Sequence, residues 1–133
     1  MKTPLWDIDP FPTLIFDPDT DRATRLSVGL VEGGVPVEIV ASAETMLETV
    51  RKKYFRTLIV SVDLDDANCL AFLDALRLAV PTGWIIAIGS RADADSHAVA
   101  YRHGVDSLLA APASPPELLH RIGSLQLRSR PRL

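Results

Sequence analysis

Two clusters of carboxylates and one hydroxyl are the residues of this chain whose types and spacing could do chemistry. Asp17 and Asp19 lie in FDPDTD, directly after a short apolar run, and Ser61, Asp63, Asp65 and Asp66 lie in IVSVDLDDA, after a longer one. In open α/β sheets the C-terminal ends of the strands are where ligands and chemistry gather. Carboxylate oxygens there suit a hard divalent cation, so weak magnesium binding through Asp17 and Asp63 is one reading. The reading we prefer needs no cofactor: Asp17 is a solvated loop acid and Asp19 caps a helix. Asp63, Asp65 and Asp66 are then loop acids, one of them favouring the start of the next helix.

Other chemistries find less support. His97, His103 and His120 share no i, i+4 spacing with one another or with Cys69, which argues against a metal site. The lone Cys69 excludes an internal disulfide framework. FDPDTD is acidic and lacks the glycines of a phosphate loop, so a small-ligand-binding flavodoxin-like domain ranks last.

The elements that would position these residues alternate along the chain. Strands are expected at Leu14 to Phe16, Val37 to Val40, Leu58 to Val62, Trp84 to Ile88 and Ser107 to Ala110. The run from Leu58 reads as buried on both faces, and VEIV, with a charge in its middle, reads as an edge strand. The first helix starts near Asp19, Thr20 and Asp21 and stops at Gly33-Gly34. The second should present Ala43, Leu47, Val50 and Tyr54 on one face, and the third, from Leu70 to Val80, carries Leu70, Leu73 and Leu76 inward. A fourth runs from about Ala94 to His103, and Ser114 caps the last, with Leu118, Ile122 and Leu125 facing the core. Strict alternation implies an α/β fold, a five-stranded parallel sheet between two helix layers, in the flavodoxin-like order 2-1-3-4-5.

Length bounds the organisation. A chain of 133 residues is one domain. We divide it into a proline-containing arm (1–12) whose Trp6 and Phe11 pack back on the domain, a body (13–126) and a basic tail (127–133) with Arg128, Arg130 and Arg132. A net charge of -3 argues against a nucleic-acid surface on the body. No apolar run approaches the roughly 18 residues of a membrane span, and the N-terminus has no signal pattern, so the protein is read as cytoplasmic.

The ordered series of motifs resembles a CheY-like response-regulator receiver domain from Thr13 to Leu125. FDPD sits where receivers carry an acidic pair, FRTLIVS where a buried strand ends in the phosphoacceptor aspartate, LAFLDALR where the next helix follows, and HGVDSLLAAP where the family has its Lys-Pro segment. The resemblance implies aspartyl phosphorylation from a histidine kinase, with a magnesium ion, a lysine and a Ser/Thr hydroxyl holding the phosphoryl oxygens. This chain departs at each of those positions. Ser61 stands at the acceptor, Pro18 at the second acid, Gly89 at the hydroxyl, Leu108 at the switch aromatic and Ala111 at the lysine. A serine cannot form the acyl phosphate. The resemblance also implies a cis bond before Pro112.

The expectation is therefore a degenerate receiver of two-component signalling that is not an enzyme. It would bind a protein partner of its pathway, or a second copy of itself, without phosphorylation. The contact would lie on the face of the fourth helix, fifth strand and fifth helix, with Val99 outward and Tyr101 toward the core. A phosphoreceiver that uses Asp63 as a relocated acceptor, with a divalent cation, is the alternative.

Overall fold

A computed structural model of the chain describes residues 12–128. The predicted arm, with Trp6 and Phe11, and Arg130 and Arg132 of the tail fall outside the described residues. Strands β1 (Thr13–Phe16), β2 (Val37–Val40), β3 (Thr57–Ser61), β4 (Trp84–Gly89) and β5 (Ser107–Ala110) alternate with helices α1 (Thr20–Glu32), α2 (Ala43–Lys52), α3 (Ala67–Ala79), α4 (Ala94–Arg102) and α5 (Pro115–Leu127). Every strand pair is parallel and the order is β2-β1-β3-β4-β5, as alternation and the charged β2 implied.

Strand alternation sorts the core into two layers. Leu14, Leu58, Val60, Ile85, Ala87 and Leu108 face α2, α3 and α4, where Met46, Val50, Phe72, Leu73, Leu76 and Ala100 meet them. Ile15, Ile59, Ile86, Ile88 and Leu109 face α1 and α5, against Ala23, Leu26, Leu30, Leu118, Ile122 and Leu125. Burying side chains of this size contributes about 1.5–3 kcal/mol each, which is why both sheet faces are covered. β2 lies at the edge, and its Glu38 carboxylate accepts from Lys53 Nζ at 2.6 Å.

Each helix starts on a side chain that satisfies an otherwise unpaired amide. Asp19 accepts from Arg22 N, Ser42 from Thr45 N, Asp66 from Asn68 N, Asp93 from Ser96 N and Ser114 from Glu117 N. The Asp19 and Ser114 caps match expectation. Asp66 moves the start of α3 to Ala67, ahead of the predicted Leu70. α1 and α5 lie close because Gly29 carries no Cβ; one there would collide with Pro115 Cγ.

Two expected helix faces need correction. Tyr54 was placed on the inward face of α2, but the helix ends at Lys52 and Tyr54 is exposed; Met46 and Val50 are the buried residues. On α4 the expected orientation of Val99 and Tyr101 is reversed. Ser96 and Ala100 are buried, Val99 is half-buried and Tyr101 is 53% exposed. Positions 96, 99, 100 and 103 form one helical stripe. Tyr101 instead lies one turn beyond His97, and their rings meet edge to face at 5.7 Å.

Candidate functional site

The β1 and β3 ends place Asp17 and Ser61 side by side. The parallel register pairs Phe16 with Val60, so the next residues, Asp17 and Ser61, continue opposite each other. Both follow the alternation of Ile15 and Ile59 and so lie toward the α1 and α5 layer. Ser61 Oγ donates to Asp17 Oδ2 at 3.0 Å. The Asp19 amide donates to Asp17 Oδ1 at 2.9 Å, which shapes the turn into α1.

The residue that completes this cluster is Arg22, which the sequence reading passed over. From the first turn of α1 its Nε and Nη2 donate to Asp17 Oδ2 and Oδ1, each at 2.6 Å. Two parallel charge-assisted bonds are the geometry that a guanidinium fork and a carboxylate share. Asp17 is only 3% exposed, so it keeps its charge in a site that would otherwise favour the neutral acid. Burial pushes its pKa up, but the Arg22 hydrogen bonds, the Asp19 amide, the Ser61 hydroxyl and the Arg22 charge together hold it below 3.8, the ordinary value. Asp17 in turn raises the pKa of Arg22. Asp17 is thus a buried, ion-paired carboxylate and not the solvated loop acid expected. One signal could have found Arg22: a cation in the first turn of a helix opposes the helix dipole, and its presence marks a compensating anion.

Asp63 takes no part in this cluster. The strand ends at Ser61, and Asp63 is exposed in the turn that follows, where its Oδ1 accepts from the Asp65 amide at 2.9 Å. Asp65 pairs with Arg91 at 3.6 Å, and Asp66 caps α3. The donors present do not fit a magnesium ion. Both Asp17 oxygens already accept from Arg22, Pro18 offers no side-chain oxygen, and no group of three or more His, Cys, Asp or Glu among the described residues could hold a metal. At the sheet mouth a cavity of about 10 Å³ lies between Leu64, Asp65, Ser90, Arg91 and Ser96, room for one water at most.

The fold has counterparts among known structures. No family model matches the chain. A protein of Sinorhizobium fredii named "Probable transcriptional regulatory protein y4xI" is 28% identical over 120 residues, 88% of this chain and 51% of that protein. The chain thus spans about half the length of the curated relative it matches. A structure from Chloroflexus aurantiacus, described as a response regulator, is 26% identical at a TM-score of 0.75, covering 90% of this chain and 100% of that one. An atypical orphan response regulator, whose structure is described as revealing a phosphorylation-independent mechanism, is 19% identical at a TM-score of 0.74, covering 89% and 96%.

This is a CheY-like receiver domain in fold.

Within the receiver fold the remaining singled-out positions take the following places. Gly89 closes β4, and its carbonyl accepts from the Ala111 amide at 2.7 Å. A Cβ on Gly89 would find its nearest neighbours at 3.5–3.8 Å, so a methyl group fits there in ordinary contact. Leu108 is buried at 3% exposure, and Ala111 and Pro112 are exposed beyond β5. The Ala111-Pro112 bond is cis. On the receiver's α4 face Tyr101 and Arg102 are exposed. His97 Nδ1 lies 2.9 Å from the Asp93 carbonyl, and His103 Nδ1 lies 2.8 Å from Asp74 Oδ1, so these histidines serve local contacts. Cys69 is half-buried on α3. No helix among the described residues is long and apolar enough to cross a membrane.

Proposed function

We propose that the protein is a receiver-like signalling module of the cytoplasm that works by protein contact and not by aspartyl phosphorylation or other catalysis. One observation carries this reading: the Asp17 carboxylate, the one acid of the receiver's pair that this chain keeps, accepts two hydrogen bonds from Arg22 and one from Ser61. The pocket has become an internal ion pair. At its centre the acceptor-equivalent Ser61 carries no charge and cannot form an acyl phosphate. Ala111 brings no cation and Gly89 no hydroxyl. Each such loss from a preorganised electrostatic site costs on the order of a hundredfold in rate.

The contact surface on this reading is the α4, β5 and α5 face, with Tyr101 as its exposed aromatic. A half-exposed tyrosine braced by His97 presents a rigid apolar body with a polar tip, the kind of residue that anchors interfaces. The occupant is a signalling partner or a second copy of the chain. The atypical orphan regulator of the same fold gives precedent for regulation without phosphorylation.

Incubation with magnesium and acetyl phosphate, followed by intact-mass measurement, tests the reading. The expected result is no added phosphoryl group, and no change in amide spectra with magnesium and beryllofluoride. A phosphorylated species that vanishes in Asp63→Asn would overturn it in favour of a relocated acceptor.

A further inference from the structure

At the edge of the sheet opposite β5, strand β2 pairs among the described residues on one side only, with β1. Thr13 N donates to the Pro36 carbonyl at 2.8 Å, so Pro36, Glu38 and Val40 turn their backbone polar groups toward β1. Alternation then aims the amides and carbonyls of Val37 and Ile39 away from the sheet. Glu38, the charge that would guard such an edge, is already paired with Lys53 at 2.6 Å. α1 packs over β2 and β1, on the face to which the Val37 and Ile39 side chains point. Its Gly29 and Gly33 back onto Pro115 and Leu119 of α5. The flank turned away from α5 is Thr20, Thr24, Ser27 and Val31, without a charged residue, although α1 carries Asp21, Arg22, Arg25 and Glu32 elsewhere. Val28, Val31 and Ile39 are 52%, 54% and 38% exposed, so apolar groups line the open strand edge. An uncharged helix flank beside unpaired backbone has the composition of an interface core and not of a solvated surface.

We propose that β2 and α1 form a self-association surface, on which a second copy of the chain is joined edge to edge about a two-fold axis normal to the sheet. An antiparallel β2 pair centred on Ile39 exchanges the Ile39 amide and carbonyl between the copies and makes the two sheets one. Centring the pair on Glu38 instead would set like charges directly opposite each other, which disfavours that register. The same axis brings the helices together. Strands lie about 4.8 Å apart and α1 lies over β2 and β1, so α1 and its copy run antiparallel about 10 Å apart, the distance at which helices pack. The two uncharged flanks then face each other and cover Val28 and Val31. A lone peptide strand would satisfy the edge and leave these valines in water; a copy of the chain supplies the matching flank at the matching height. The contact involves roughly a dozen residues a side, about half of a standard interface, which makes it a reversible dimer with Kd on the order of 10 µM. It lies across the sheet from the α4, β5 and α5 face, leaves that face to a signalling partner, and does not rest on that reading.

Sedimentation equilibrium of the full chain from about 2 to 200 µM, a range that brackets this affinity, tests the proposal. The wild-type chain should pass from monomer to dimer. Ile39→Lys and Val31→Glu should each weaken the dimer about tenfold or more at unchanged circular dichroism, while Tyr101→Arg leaves it in place. Hydrogen exchange gives a second reading on the unaltered chain: the Val37 and Ile39 amides should exchange several-fold more slowly at the high concentration than at the low one. A monomer throughout the range, a dimer indifferent to both edge substitutions, or exchange at these two amides that ignores concentration would each overturn the proposal. So would a dimer lost only in Tyr101→Arg, which would assign self-association to the α4 face.

Discussion

Asp17 and Arg22, five residues apart, face each other across the start of α1 and share two hydrogen bonds of 2.6 Å. The carboxylate is buried and the guanidinium half-exposed, with side-chain exposures of 4% and 50%. The pair converts a pocket of the receiver fold into a closed electrostatic unit, and most of the behaviour expected of the protein follows from it.

Removing the cation should cost stability. Arg22→Ala leaves the Asp17 carboxylate buried, with only the Ser61 hydroxyl and the Asp19 amide. An uncompensated buried acceptor costs about 1–3 kcal/mol. The loss stays below the 3–5 kcal/mol of a fully buried pair because water reaches Arg22. Urea unfolding should show a lower midpoint with an unchanged slope.

Ser61→Ala removes one hydrogen bond to an ion-paired carboxylate and should cost about 1 kcal/mol. Ser61→Asp sets a second carboxylate against Asp17 with one arginine between them. It should destabilise the fold more than the alanine does, and yield no phosphoryl labelling, because Ala111 and Pro18 still supply no cation and no ligand. The comparison is read by thermal unfolding and intact mass.

Acid should weaken the fold in a defined window. The folded pKa of Asp17 lies below its ordinary value of 3.8. The folded state therefore binds fewer protons there, and the stabilisation is present above 3.8 and lost as pH falls through the lower, folded value. Exposed Asp93, lowered chiefly by its hydrogen bond from the Ser96 amide, acts in the same direction. Unfolding free energy measured against pH should decline on the acid side, and more gently in Arg22→Gln.

Gly104 and Gly34 both have positive φ, +90° and +92°. A Cβ on Gly104 would meet Arg77 Cβ at 2.7 Å, whereas one on Gly34 meets nothing within 4 Å. Gly34→Ala should cost about 1 kcal/mol, the strain of the backbone conformation alone. Gly104→Ala should cost more, because it also displaces the Arg77 side chain, which bridges Asp106 and the Val80 carbonyl. Paired denaturation curves decide it.

Tyr101→Arg should leave the unfolding midpoint within about 0.5 kcal/mol, as an exposed substitution does. It should reduce association with the partner or with a second copy. Sedimentation velocity of wild type and variant checks the self-association case.

The chain order of strands and helices, the glycine stop after α1 and the caps at Asp19 and Ser114 were legible without coordinates, because they depend on local spacing and on side chains that bond their own backbone. The alignment of Ser61 with the end of the central strand was legible for the same reason. Tyr101 was not, since α4 offers only small or amphipathic residues and several faces could pass for the inner one. Asp17 showed itself as an acid after β1, but its burial and its bond to Ser61, 44 residues away, arise only when β1 and β3 pair in register. Periodicity along the chain specifies which face of an element is apolar. Which polar groups end up sharing one desolvated pocket is a property of strand register and helix seating, and these exist only once the two core layers have closed on the sheet.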